Sequence, residues 1–216
     1  RYTADIDSIL RKYRSHEAVK MMKQFKKKYG LGYDRVMSIA LQIECRGDNI
    51  VKLDTGKKSI SPIGQKETHE FLSALNDFYR TSRFNDFFNT HTDIYELGLQ
   101  VFNDSVMAHF DQEWYTRFYG TPPAEQFRII IGFTNGPCNY GPSRKLTGQP
   151  KEVFAIMNYA VDDNERPIFY KKVVETVVHE FCHSFTKIKG DTEKALEKSG
   201  KALQEYTYFS MRRQAY

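Results

Sequence analysis

One short segment, His179-Glu180-Phe181-Cys182-His183, has residue types and spacing that could do chemistry. Two histidines at i and i+4 leave the same face of a helix one turn apart, so both imidazoles can grip one metal ion. A glutamate beside the first histidine can reach a water at that ion and take its proton. Such a segment must be a helix with one side in the core and the other on a cleft. Its flanks agree. Between Thr176 and Phe185 the charged residue is Glu180. Val174, Val177, Val178, Phe181, Phe185 and Ile188 recur at helical spacing and form an apolar stripe. Thr176, His179, Glu180 and His183 lie on a neighbouring, more polar arc. The plainer reading, a surface helix with two incidental histidines, would scatter charges through this stretch. Instead, Lys171, Lys172 and Glu175 precede it, and Lys187 and Lys189 follow it.

The stretch Thr176 to Phe185 resembles the active-site helix of the zincin metallopeptidases. The resemblance implies that His179 and His183 bind Zn2+ and that Glu180 is the catalytic base. The metzincin subgroup departs from this chain, because its glycine position is Thr186 and its third histidine position is Lys189. What remains is similar to the gluzincins, whose third ligand is a glutamate on a later helix. Glu193, Glu197 and Glu205 are candidates for that role, with Asp191 a fourth. Glu193 and Glu197 read more plainly as a solvated helix face. Glu205 has the gluzincin-like separation. More narrowly, His179 to Phe185, Asn135 to Pro142 and Arg83 to Phe88 together resemble a family of secreted or lipid-anchored proteins, mostly of gut Bacteroidetes, described as a domain of unknown function. That resemblance implies a secreted, periplasmic or lipoprotein location and names no substrate. In that family the sequence continues into a further glutamate-bearing helix, so a ligand beyond Tyr216 is the alternative to Glu205.

The elements that would position this helix divide the chain into a helical half, residues 1–120, and a second part, residues 121–216, with a sheet, the active-site helix and C-terminal helices. The two are expected to form one integrated domain. Periodicity predicts helices over Asp5–Arg14, Glu17–Tyr29, Tyr33–Glu44, Glu67–Tyr79, Arg83–Asn89 and Thr92–Tyr119. Gly120-Thr121-Pro122-Pro123 ends the last of them. Gln126–Thr134 and Glu152–Tyr159, rich in branched and aromatic residues and bounded by turn formers, read as strands. Gly47-Asp48, the span Asp54–Gly64, the glycine- and proline-rich stretch after Asn135, and Asp162–Pro167 read as loops. The expected fold class is α+β, mostly helical, with a small antiparallel or mixed sheet packed on the helix of the motif. An edge strand of such a sheet can pair with an extended peptide; either strand could serve.

Composition sets the outer limits. The 216 residues are 40% hydrophobic and 14% aromatic, enough for a substantial core in one domain. No stretch approaches about 18 apolar residues, so no transmembrane helix is expected. Net charge is +5. The basic residues are dispersed, and the run Lys26-Lys27-Lys28 before Gly30 suits a helix C-terminus better than a nucleic-acid face. Three cysteines, Cys45, Cys138 and Cys182, make no disulfide framework. Cys138 has no local histidine to activate it, which argues against a thiol protease. The first residue is Arg1 and no apolar leader follows, so the chain reads as a mature or trimmed product. No Asp/Asn/Gly loop of EF-hand type suggests calcium.

The chemistry expected is hydrolysis of a peptide or protein substrate by an activated water, with Glu180 passing the proton to the leaving amine. Tyr140, Tyr159, Tyr206 and Tyr208 are candidate donors to the oxyanion, each with a plainer reading as a packing tyrosine. Asn139 and Tyr140 draw interest because glycine and proline hold their loop near the sheet. His69, His91 and His109 lack partners at ligand spacing and read as structural or surface groups. Two alternatives stand beside a zinc peptidase: a binding protein that keeps the scaffold without turnover, and a zinc hydrolase of non-peptide amides.

Overall fold

The structure, a computed structural model, describes residues 2–185. Glu193, Glu197, Glu205, Asp191, Tyr206, Tyr208 and the expected C-terminal helices lie outside the described residues. The two runs of branched residues form the middle of the fold. β3 (Gln126–Gly132) and β5 (Lys151–Asn158) pair in parallel, with Phe127 opposite Val153, Ile129 opposite Ala155 and Ile131 opposite Met157. The short strand β4 (Ser143–Lys145) runs antiparallel along the other side of β5. The order β3-β5-β4 makes a mixed sheet with β5 at its centre. β5 is therefore not an edge, and of the two strands expected from sequence only β3 has an outer side.

Alternation of side chains gives β5 two buried faces. Phe154 and Ile156 pack with Leu41, Met37 and Tyr140 on one face. Val153, Ala155 and Met157 are buried on the other. On that second side, Phe127 lies with its ring centroid 4.7 Å from that of Phe181, on the helix of the motif.

Helices surround this sheet. α1 (Tyr2–Leu10) continues into a 3-10 turn over Arg11–Tyr13. α2 (Glu17–Lys28) starts where the His16 side chain accepts from the Ala18 N–H, and it carries three lysines in its last turn, where they face the negative end of the helix dipole. α3 (Tyr33–Ala40), α4 (Gln65–Thr81) and α5 (Phe84–Asn89) follow. Met21, Phe25, Ile39 and Phe71, with Leu31, Ile60 and Ile63 from the connections, form the core of this helical part. α6 (Thr92–Ser105), α7 (Glu113–Tyr119) and α8 (Val173–Phe185) complete the set. Eight α-helices with one two-stranded and one three-stranded sheet make the described residues an α+β fold. Arg1–Ser184 belong to one compact unit. No helix among the described residues is long and apolar enough to cross a membrane.

Three elements differ from expectation. The helix predicted over Tyr33–Glu44 stops at Ala40, and a hairpin takes its end: β1 (Ile43–Arg46) pairs with β2 (Asn49–Lys52), Arg46 opposite Asn49. The two-residue turn Gly47-Asp48 drives it. Gly47 has φ +55°, the positive value a type II′ turn needs at its first central residue. The long helix predicted over Thr92–Tyr119 is broken into α6, a 3-10 turn at Met107–His109, and α7. Asn103-Asp104-Ser105 are weak helix formers, and the Asp111 carboxylate restarts the helix by accepting from the Glu113 N–H. Finally, β4 lies inside what reads as a loop between the two long strands.

Candidate functional site

α8 is fixed by its apolar side. Val177 and Phe181, one turn apart, are both fully buried. Phe181 meets the rings of Phe127, Phe110 and Tyr115. The Tyr115 hydroxyl donates to the Val178 carbonyl at 3.3 Å, and the Tyr119 hydroxyl reaches Cys182 Sγ at 3.7 Å. Cys182 is thus occupied on the side of α7, and none of the three cysteines is in a disulfide.

The opposite side of α8 carries the motif. His179 and His183 are exposed, with rings at 89° to each other and their Nε2 atoms 3.1 Å apart. Nitrogens at that spacing can both stand about 2.0–2.1 Å from one zinc ion; without an ion they suit an N–H···N hydrogen bond. Glu180 is buried, and its carboxylate lies 3.9 Å from His183 Nε2. Burial pushes the Glu180 carboxyl above the ordinary range, while His183 and His179 pull it the other way. Two imidazole nitrogens and a carboxylate oxygen lie within 4.8 Å of one another, close enough that the group could hold a metal ion. Among the described residues no further histidine, cysteine or carboxylate joins it.

The second wall is the segment 139–142, which extends β4 along β5. Tyr140 exchanges both backbone hydrogen bonds with Ile156, at 3.0 and 2.8 Å, and Phe154 N–H donates to the Pro142 carbonyl at 2.9 Å. Asn139 Oδ1 accepts from the Asn158 N–H at 2.8 Å. In an antiparallel ladder this pattern turns the N–H and C=O of Gly141 away from β5. Gly141 also lies directly on α8: a Cβ there would stand 2.0 Å from the Glu180 carbonyl oxygen. Only glycine lets the strand and the helix approach this closely. Upstream, Asn135 Nδ2 donates to the Cys138 carbonyl at 2.8 Å and shapes the turn into this segment.

A cavity of about 350 Å³ joins these walls. It is lined by Glu180 and His183 of α8, by residues 139–142, and by Asp34 and Ser38 of α3. Of the tyrosines considered from sequence, Tyr140 lines this cavity. Burial pushes its phenol above the ordinary range, with Cys138, Tyr33 and Asp34 adding to the effect. Tyr159 does not reach it. Its ring packs 4.4 Å from that of Phe133 and lines a different cavity. His91 is a structural group, as its lack of ligand spacing suggests: it is buried between the Phe87 carbonyl at 2.7 Å and Asp5 at 3.1 Å. Asp34 and Ser38 were not singled out in the sequence, because nothing local ties α3 to a motif so far along the chain.

A family model described as Domain of unknown function (DUF4932) matches residues 1–210. No curated protein matches the chain, and no solved structure does.

Proposed function

Matched over residues 1–210, the chain belongs to the DUF4932 family; that description names no activity, so from the site itself we propose a zinc-dependent peptidase. One observation carries this reading: His179 and His183 converge to 3.1 Å beside a buried Glu180, at a cavity whose other wall is an edge segment. His179 and His183 would hold the ion, with a further ligand expected from Glu205 or beyond Tyr216. Zinc, when bound, lowers the pKa of a water toward neutrality and polarises a carbonyl.

The chain's own groups do the rest. The outward N–H and C=O of Gly141 receive an extended peptide by strand pairing, which lays its backbone across the mouth of the cavity. Glu180, made more basic by its burial, takes the proton of the attacking water and delivers it to the leaving amine. Tyr140, which lines the same cavity, is the candidate donor to the developing oxyanion. Gly141 and the Tyr115 anchor keep Glu180 in register with that segment.

Metal content and cleavage test the proposal together. The purified chain should hold about one zinc, lost in a His179→Ala/His183→Ala double variant. Glu180→Gln should keep the zinc and lose cleavage of a peptide library. Zinc no higher than in the double variant would sink the reading. Zinc bound without cleavage of any peptide would favour a binding protein on the same scaffold, or a hydrolase of other amides.

A further inference from the structure

We propose that this site prefers peptides carrying a cationic group next to the bond at Glu180, and that Asp34 is the residue that selects it. The inference rests on the peptidase reading and deepens it. The cationic group is an ammonium or guanidinium, supplied by a lysine or arginine side chain or by a free α-amino end.

The charge of the cavity runs against that of the chain. The protein is net +5, yet among the described residues no lysine or arginine lines this cavity, and two carboxylates do. Glu180 is buried and lies beside the two histidines, so it is committed to the reacting centre. Asp34 stands on the facing wall, in the first turn of α3, with 70% of its side chain exposed. Its surroundings leave it available. Gly32 makes room for it, since a Cβ there would stand 2.7 Å from Asp34 Oδ1. Ser38 Oγ donates to the Asp34 backbone carbonyl at 3.1 Å and leaves the carboxylate alone. Among the described residues the competing cation is Arg35, whose Nε lies 3.9 Å away and which is itself 63% exposed. An ion pair of that kind is weak and a bound cation can displace it.

Peptide geometry connects Asp34 to the bond. A strand paired along residues 140–145 turns alternate side chains to opposite sides. One set faces the α3 wall, where Asp34 is the charged group. An exposed pairing of this kind gives a preference of about fivefold.

The test is peptide binding by fluorescence anisotropy at low salt, on the zinc-supplied Glu180→Gln chain so that bound peptide is not cleaved. Three probes share one sequence: N-acetylated with lysine at the varied position, N-acetylated with norleucine there, and norleucine with a free amino end. The lysine or free-amine probe should bind about fivefold more tightly than the neutral one. Asp34→Asn should erase the difference with an unchanged thermal midpoint, and Asp34→Lys should reverse it. Whichever cationic probe gains identifies the source of the charge. Equal affinities for all three probes, a preference untouched by Asp34→Asn, or no binding of any probe would overturn the assignment. If zinc and cleavage are present but the preference is not, Asp34 alone falls. If zinc is absent but the preference persists, the peptidase reading falls and Asp34 remains part of a binding site.

Discussion

Two cavities of the protein are nearly equal in size, and they differ in what converges on them. One, about 350 Å³, is bounded by α3, residues 139–142 and α8. The other, about 320 Å³, includes Tyr2, Ile94, Leu97, Phe133 and Tyr159, with Asp93, Glu165 and Arg166 also at its lining. In the second, aromatic rings pack on each other: Phe133 lies 4.4 Å from Tyr159 and 5.4 Å from Tyr2. In the first, two imidazoles and a buried carboxylate bring ligand atoms within 4.8 Å. Volume does not separate the two. Donors brought to bonding distance do, and among the described residues the motif of α8 forms the one cluster of metal-ligating groups.

The sharpest way to break this contrast is to change equivalent atoms in the two places and compare turnover. Glu180→Gln should lower kcat by about 10²- to 10⁴-fold, the usual share of a general base. Tyr140→Phe should cost about 10²-fold, as loss of an oxyanion donor does. Tyr159→Phe, which removes the same hydroxyl from the other cavity, should leave kcat within about twofold, because its ring packs on Phe133 away from the histidines. Steady-state kinetics on any peptide the wild-type chain cleaves would decide. A Tyr159→Phe defect as large as that of Tyr140→Phe would remove the distinction.

Two glycines give the same contrast in stability. Gly141→Ala places a methyl 2.0 Å from the Glu180 carbonyl oxygen, a backbone atom of α8 that cannot turn aside as a side chain could. Overpacking there should cost about 1–3 kcal/mol and reduce cleavage as well, since strand and helix must separate. Gly98→Ala, in α6 beside the other cavity, meets Phe133 Cζ at 3.1 Å. A ring edge can yield, and alanine is the better helix former, so the two effects oppose and the net change should stay within about 1 kcal/mol. Urea unfolding of both variants measures the difference. A Gly98→Ala loss as large as that of Gly141→Ala would show that the approach at residue 141 is not special.

The same contrast separates what the sequence discloses from what it hides. The α8 pattern is local: the motif and the apolar stripe both follow from helical spacing, so His179, Glu180 and His183 can be picked out without a structure. The runs Gln126–Gly132 and Lys151–Asn158 are legible as strands because branched residues crowd them. The hairpin of β1 and β2 is masked by apolar residues of α3 whose spacing carries on through Ile43, although Gly47-Asp48 holds the signal. The break after Ser105 is hidden because Val106, Phe110 and Trp114 keep a helical period across it. Asp34 and the contact of Gly141 with Glu180 are products of tertiary packing, and no spacing near either residue announces them.

Two buried carboxylates carry the comparison into acid stability. Glu180 is pushed up by burial. Glu152, in the central strand, is held below its ordinary value of 4.5, first by its hydrogen bond from Arg144, with Arg128 adding to it and burial opposing. Arg144 Nε lies 2.6 Å and Arg128 Nε 3.1 Å from the Glu152 carboxylate. A depressed folded pKa favours the ionised native state. The stabilisation is therefore complete above 4.5 and is lost as pH falls through the lowered folded value. Glu152→Gln should destabilise the protein at pH 7 yet narrow its gap to wild type as pH falls below 4.5. Unfolding midpoints across that range would show it; a constant gap would mean that the Arg128 and Arg144 contacts act through packing alone.

The smallest expected effect isolates the anchor of α8. Tyr115 is fully buried, with its hydroxyl 3.3 Å from the Val178 carbonyl and its ring centroid 4.9 Å from that of Phe127. Tyr115→Phe keeps the ring packing and removes the hydroxyl, so stability should fall by only about 0.5–1.5 kcal/mol. Turnover should fall little beyond that, because Val177, Phe181 and the Gly141 contact still hold the helix against the sheet. Comparing kcat with the unfolding midpoint separates the two roles. If kcat drops by more than about tenfold while the midpoint barely moves, the Tyr115 hydroxyl sets the position of Glu180 itself, and Gly141 is not enough to define it.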